Sequence, residues 1–219
     1  MIQDGDKIAI GVSGGKDSMT LLTALASLRR YYPKNFEITA VTLDMGIGNF
    51  DTDVIRRYCE SLDVSFNLEQ SNIGKIIFDV RKEKNPCSLC ANMRRGALHS
   101  LTTKLECNKL AFAHNYEDTI ETLLMSLFYE GRTHLYSPVT YLDRRDITLI
   151  RPMIYVWEAD IKAFVKEKNI QLVKNECPAN GKTARQDMKE LIANLEQTNP
   201  YIRSSIFHAI RTGGFEGWK

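Results

Sequence analysis

The segment Gly11-Val12-Ser13-Gly14-Gly15-Lys16-Asp17-Ser18 constrains this chain more than any other. It follows a short β-branched apolar run, Lys7 to Val12, and leads into Met19 to Leu28, whose apolar residues recur at helical spacing. Strand, glycine turn and helix in that order bring backbone N–H groups and a helix N-terminus to one point, where an anion is stabilised. Gly14 and Gly15 let the backbone turn sharply. Ser13 and Ser18 offer hydroxyl donors and Lys16 a full positive charge. Asp17 repels a bare phosphate, so it either orients the loop or meets a magnesium ion. The spacing differs from the G-x-x-x-x-G-K-[ST] loop of nucleotide kinases.

The same alternation continues along the chain. Glu37 to Leu43, Val64 to Leu68, Leu110 to Ala113 and Ile147 to Ile150 read as strands. Asp51 to Leu62, Asp118 to Tyr129, Ala159 to Lys168, Arg185 to Glu196 and Pro200 to Arg211 read as helices. This pattern predicts an α/β fold: a Rossmann-like, mostly parallel sheet with helices on both faces, and a helical C-terminal extension. Residues 1–211 read as a single domain, and 212–219, with three glycines, as a flexible tail. Ligands of such sheets bind beyond the carboxyl ends of the strands. That rule selects Ser13 to Ser18, Asp44, and His114 to Asp118. Asp44 is either a nucleotide or metal contact or a polar turn residue. Thr119, Glu121 and Thr122 are expected on a helix surface.

Net charge is only +2, so global charge neither requires nor excludes a nucleic acid. Basic residues cluster locally, at Arg81, Lys82, Lys84, Arg94 and Arg95, and again at Lys174, Lys182, Arg185, Arg203 and Arg211. No apolar run approaches the ~18 residues of a membrane span. The first six residues lack a basic segment followed by an apolar one, so a cytoplasmic location with no membrane partner is expected. The five cysteines are Cys59, Cys87, Cys90, Cys107 and Cys177. An odd number in a reducing compartment argues against a disulfide framework. Cys59 and Cys107 read as small core residues. Cys87-Ser88-Leu89-Cys90 offers two thiolates on one turn, compatible with zinc, a redox pair or an iron–sulfur cluster.

The string S-G-G-K-D-S resembles the PP-loop signature of the ATP pyrophosphatases. Cys87 to Leu98 is similar to the C-x-x-C-A-x-x-R-R-G-x-L stretch of the tRNA 2-thiocytidine synthase (tRNA cytidine 2-sulfurtransferase) family of PP-loop ATP pyrophosphatases. His114 to Asp118 resembles its H-x-x-D-D motif, with His114 and Asp118 matching directly and Glu117 keeping the charge. Phe128-Tyr129-Glu130-Gly131, Ile150-Arg151-Pro152-Met153 and Arg185-Gln186 resemble further stretches, and Cys177 the late third cysteine.

The resemblance implies an ATP-dependent enzyme that adenylates the C2 carbonyl of a tRNA cytidine and replaces its oxygen with sulfur. It implies nucleotide contacts from Ser13, Gly14, Gly15, Lys16, Asp17, Ser18 and Asp44, with Mg2+ on the phosphates. A 4Fe-4S cluster is implied on Cys87, Cys90 and Cys177. Lys16, Asp118 and His114 are the implied catalytic candidates, and Arg94 and Arg95 the candidates for tRNA contact. A cysteine desulfurase is the implied sulfur donor, and related enzymes suggest a homodimer. Three alternatives remain: thiolation of another tRNA base, thiolation of a small molecule, or a non-catalytic nucleotide- or RNA-binding module with a structural metal.

Overall fold

The computed structural model describes every residue except 83–85, 175, 180, 182 and 219. Lys84 and Lys182 of the two basic clusters therefore lie outside the described residues. Six strands form one sheet: β1 (Asp6–Gly11), β2 (Phe36–Asp44), β3 (Ser65–Gln70), β4 (Lys109–Ala111), β5 (Val139–Leu142) and β6 (Ile147–Ile150). Their order is β3-β2-β1-β4-β6-β5. All neighbours are parallel except β5 and β6. The fold class expected from the sequence is the one observed. β5 was not expected. It is a four-residue edge strand with Val139 and Tyr141 exposed, too short and too polar in its flanks to stand out.

The helices are α1 (Lys16–Leu28), α2 (Thr52–Ser61), α3 (Pro86–Lys104), α4 (Tyr116–Glu130), α5 (Glu158–Glu167), α6 (Ala184–Glu196) and α7 (Ile202–Thr212). Strand alternation sorts them. Ile8, Ile10 and Ala40 face α1, α2 and α5 through Met19, Leu22, Ile55 and Ile161. Ala9 and Val41 face the other way, toward Leu98 and Leu101 of α3. Burying such aliphatic side chains stabilises the fold by roughly 1.5–3 kcal/mol each. Cys59 and Cys107 are buried core thiols, as expected. Burial pushes the Cys59 thiol up to about 11.

A third cluster joins α4 to α6 and α7. Here the last residues differ from a free tail. Trp218 is 1% exposed, and its indole N–H donates to the Tyr136 carbonyl at 2.9 Å. Glycine content spoke for mobility, but the indole packs against Phe207 and Tyr155, which holds the segment on the body of the protein. Among the described residues, no helix is long and apolar enough to cross a membrane.

β1 lies between β2 and β4, and the chain leaves it in one direction and returns on the other side. Ile10 pairs with Ala40 and with Ala111. The crevice beyond the ends of β1 and β4 is thus the switch point of the sheet, where ligands of this architecture bind.

Candidate active site

The loop after β1 is anchored before it turns. Val12 N donates to the Val41 carbonyl at 2.9 Å, and the buried Thr42 hydroxyl donates to the Val12 carbonyl at 2.9 Å. Ser18 Oγ accepts from Ser13 N at 3.1 Å and donates to the Gly15 carbonyl at 3.0 Å. Gly14 has φ +76°, and a Cβ there would lie 2.7 Å from Val173. Only glycine meets both demands. α1 then starts behind Gly15 with no side chain capping it. α2 and α4, by contrast, are capped by Asp51 and Asn115. The first amides of α1 have no partner within the helix and stay available to an anion.

A cavity of about 370 Å³ opens over this loop. Ser13, Gly15, Asp17 and Ser18 line one wall. Asp44, Met45, Arg94, His114 and Cys177 line the rest. Asp44 accepts from Gly46 N at 2.8 Å, so it shapes its own turn as well as facing the cavity.

Cys177 is far from the cavity in sequence, and two contacts bring it there. Val173 N donates to the Gly14 carbonyl at 3.0 Å. Glu176 Oε2 accepts from Asn49 N at 2.7 Å. The other two cysteines come from the first turns of α3, which opens on Pro86, a residue suited to a helix start. Cys87 is exposed, while Cys90 is partly buried with its sulfur 3.7 Å from that of Met45. Burial pushes the Cys90 thiol up, and the nearby Cys177 and Cys87 push the same way; Arg94, one turn on, opposes them. The three cysteines therefore lie within electrostatic reach of one another, with Cys177 in the cavity lining. Among the described residues, no three His, Cys, Asp or Glu side chains stand close enough to hold a single metal ion. A polynuclear cluster spreads its thiolates over several irons, and the donor set of three cysteines beside an arginine fits one.

His114 follows β4 and packs against Tyr136 at 4.7 Å between ring centroids. Burial, with Arg151 and Arg185 adding, pushes it down to about 3. It is a neutral imidazole at ordinary pH, and among the described residues its buried Nδ1 has no hydrogen-bond partner. Asp118 does not line the cavity. Its carboxylate accepts from Asn115 N at 3.1 Å, and Arg185 Nη1 donates to it at 3.0 Å. Asn115 in turn donates from Nδ2 to Asp17 Oδ1 at 2.9 Å. Asp118 thus acts on the loop through Asn115.

Lys16 does not line the cavity either. Its ammonium lies 2.7 Å from Asp17 and 2.9 Å from Glu158 at the start of α5. Glu158 also meets Lys162 at 3.1 Å and Lys189 at 3.7 Å. Lys189 reaches Glu121 at 3.8 Å, and Glu121 lies 3.0 Å from Arg185. The path Asp17–Asn115–Asp118–Arg185–Glu121–Lys189–Glu158–Lys16 closes on itself, tying the loop to α4, α5 and α6. Glu121, expected on a helix surface, is instead 1% exposed, and Thr119 is buried as well. The reason is that α6 and its Arg185 cover that face of α4. Sequence reading missed Glu158 and Lys189 as parts of this site, because Lys16 and Glu121 lie far from them in the chain.

A model of the PP-loop domain matches residues 2–195. The tRNA-cytidine(32) 2-sulfurtransferase of Pelobacter propionicus is 42% identical over 213 residues, which span 96% of this chain and 79% of that protein. The enzyme of the same name from Geobacter sulfurreducens is 40% identical, over 96% of this chain and 83% of that one. The chain belongs to the tRNA-cytidine 2-sulfurtransferase family of PP-loop proteins. Among solved structures, the U34-tRNA thiolase NcsA from Methanococcus maripaludis, determined with its 4Fe-4S cluster, has the same fold. It superposes with a TM-score of 0.76 at 24% identity, over 94% of this chain and 71% of that one.

For a tRNA-cytidine 2-sulfurtransferase family member, the two arginines of α3 differ in setting. Arg94 lines the cavity. Arg95 is exposed and bonds to Ala91 and Asn92 of its own helix. Arg185 and Arg203 of the C-terminal basic group are paired, with Asp118 and Glu121 and with Glu196, respectively.

Proposed function

We propose that this protein is an ATP-dependent tRNA sulfurtransferase that replaces the C2 oxygen of a cytidine with sulfur, at position 32 as the names of its relatives suggest. One observation carries the reading. A single cavity has the anion-binding loop Ser13 to Ser18 on one wall and Cys177 on its rim, beside Cys90. Nucleotide activation and sulfur delivery can then occur at one opening.

ATP phosphates would rest on the free amides at the start of α1 and on the hydroxyls of Ser13 and Ser18, with Asp44 near the nucleoside. Asp17 faces the cavity and is the carboxylate best suited to meet Mg2+. The cytidine must leave its stack to reach the cavity. Its C2 oxygen attacks the α-phosphorus, pyrophosphate leaves, and the carbon is activated as an adenylate. Lys16 and the loop amides would stabilise the departing charge. His114, held neutral, can exchange a hydrogen bond with the base but is not a proton carrier near pH 7. Asp118 would serve by holding Asn115, which holds Asp17. Arg94 at the rim is suited to a tRNA phosphate, and Arg95 to the outer face of the same contact.

Cys87, Cys90 and Cys177 would hold a 4Fe-4S cluster. Bound there, the cluster would supply sulfur chemistry beside the cavity, where a sulfide-level sulfur would form the new bond to the activated carbon as AMP departs. Each cysteine thiol must give up its proton on ligation, so cluster loading would weaken at low pH. A cysteine desulfurase would replenish the sulfur, and a homodimer would extend the tRNA-binding surface.

The reading is tested by its nucleotide products. With Mg-ATP, tRNA and a sulfide source, AMP and pyrophosphate should form in equal amounts and only when tRNA is present. ADP and phosphate, or AMP formation indifferent to tRNA, would overturn it.

A further inference from the structure

The ammonium of Lys16 poses a problem for phosphate binding. It sits outside the cavity lining, between the carboxylates of Asp17 and Glu158 at 2.7 and 2.9 Å. A cation already matched by two anions has little field left for a third. Glu158 is differently placed. Its carboxylate meets three ammonium groups, those of Lys16, Lys162 and Lys189. It can release one and remain paired.

The local fold explains why these groups meet. α1 and α5 begin side by side, with Lys16 and Glu158 as their first helical residues. Glu158 N donates to Glu117 Oε2 at 2.8 Å, which fixes the start of α5 against α4. Two helix N-termini there favour an anion between them. Burial alone would raise the Glu158 carboxyl, but hydrogen bonds from Lys16 and Lys162 overcome it and hold the group at about 2. It is an anion at every physiological pH.

We propose that Glu158 is a positioning residue for Lys16: it holds the ammonium beside the loop and competes with the phosphates of ATP for it, its own charge resting on Lys162 and Lys189 when Lys16 turns to the nucleotide. The ring of ion pairs is the device that makes this exchange inexpensive. When Lys16 moves, Glu158 keeps Lys162 and Lys189, and Asp17 keeps the hydrogen bond from Asn115. The inference rests on reading the cavity as an ATP site.

The test is the dissociation constant of Mg-ATP, measured without tRNA so that no adenylate forms. Glu158→Gln keeps the shape and removes the competing anion, and should tighten ATP roughly two- to five-fold, the scale of a partly exposed ion pair. Lys162→Met combined with Lys189→Met leaves Glu158 with Lys16 alone, and should weaken ATP by a similar factor. Both shifts should vanish in a Lys16→Ala background, which a merely structural role would not produce. Weaker binding by Glu158→Gln, or shifts of the same size with and without Lys16, would overturn the proposal while leaving the ATP site intact. Should Glu158→Gln fail to fold, the paired lysine variant decides alone, and unchanged affinity there counts against the exchange. Failure of the unaltered protein to bind Mg-ATP would sink the ATP reading itself.

Discussion

A Cys177→Ala variant purified without oxygen should carry at most a trace of iron and acid-labile sulfide, where the unaltered protein carries about four of each per chain. The expectation follows from the way the chain brings a distant sulfur to the α3 pair. Val173 and Glu176 stitch the segment to Gly14 and Asn49, and Cys177 lines the cavity. Cys87 and Cys90 alone supply two thiolates, too few to retain a cluster firmly. A Cys59→Ala variant is the control, because Cys59 is 0% exposed in the core and should leave iron unchanged. Retention of full iron by Cys177→Ala, or zinc in place of iron in the unaltered protein, would contradict the assignment of the three cysteines.

Arg185→Met should lower the unfolding free energy by about 2–3 kcal/mol. Glu121 is 1% exposed and depends on Arg185 at 3.0 Å, its other partner Lys189 standing at 3.8 Å. Removing one partner of a buried ion pair costs ~3–5 kcal/mol. Arg185 is itself 35% exposed, and solvent offsets part of that loss. The pH dependence has a definite sign. Burial already pushes the Glu121 carboxyl up, and Lys189 and Arg185 pull it back. Without Arg185 it rises further, so the native variant binds a proton more readily than its unfolded chain. Its deficit should shrink as pH is lowered from about 8 toward about 5. Replacing Glu121 by methionine as well should recover most of the stability, since two apolar side chains remove the stranded charge. Urea unfolding with an unchanged slope measures all three quantities. A deficit below ~0.5 kcal/mol, typical of surface substitutions, would mean that the ring contributes little to stability.

The features carried by contiguous residues were legible in the sequence. The glycine loop, the strand before it and the helix after it follow from local chemistry. The parallel sheet follows from strands alternating with helices. The C-x-x-C pair places two thiols on one turn, although only family resemblance linked it to Cys177. Features built from distant partners were not legible. Glu121 lies on an apolar helix and reads as its solvent face until α6 covers it with Arg185. Glu158 sits at the start of a helix 142 positions beyond Lys16 in the numbering, and no spacing rule connects them. The glycines near the C-terminus suggest freedom, whereas Trp218 finds a slot made by Phe207 and Tyr136 that exists only in the folded chain. β5 is short enough that its pairing with β6, rather than its own residues, makes it a strand. Lys16 stands where its place in the loop did not foretell, because one of the carboxylates that hold it comes from another element.

The most direct test of the central claim is nucleoside analysis of tRNA. Unmodified tRNA would be incubated with anaerobically purified protein, Mg-ATP and sulfide, then digested and analysed by mass spectrometry. The account expects 2-thiocytidine to accumulate only when ATP is present, and to be absent with the Cys177→Ala variant. Sulfur appearing on uridine, or no thiolated nucleoside at all while ATP is still cleaved to AMP and pyrophosphate, would contradict it.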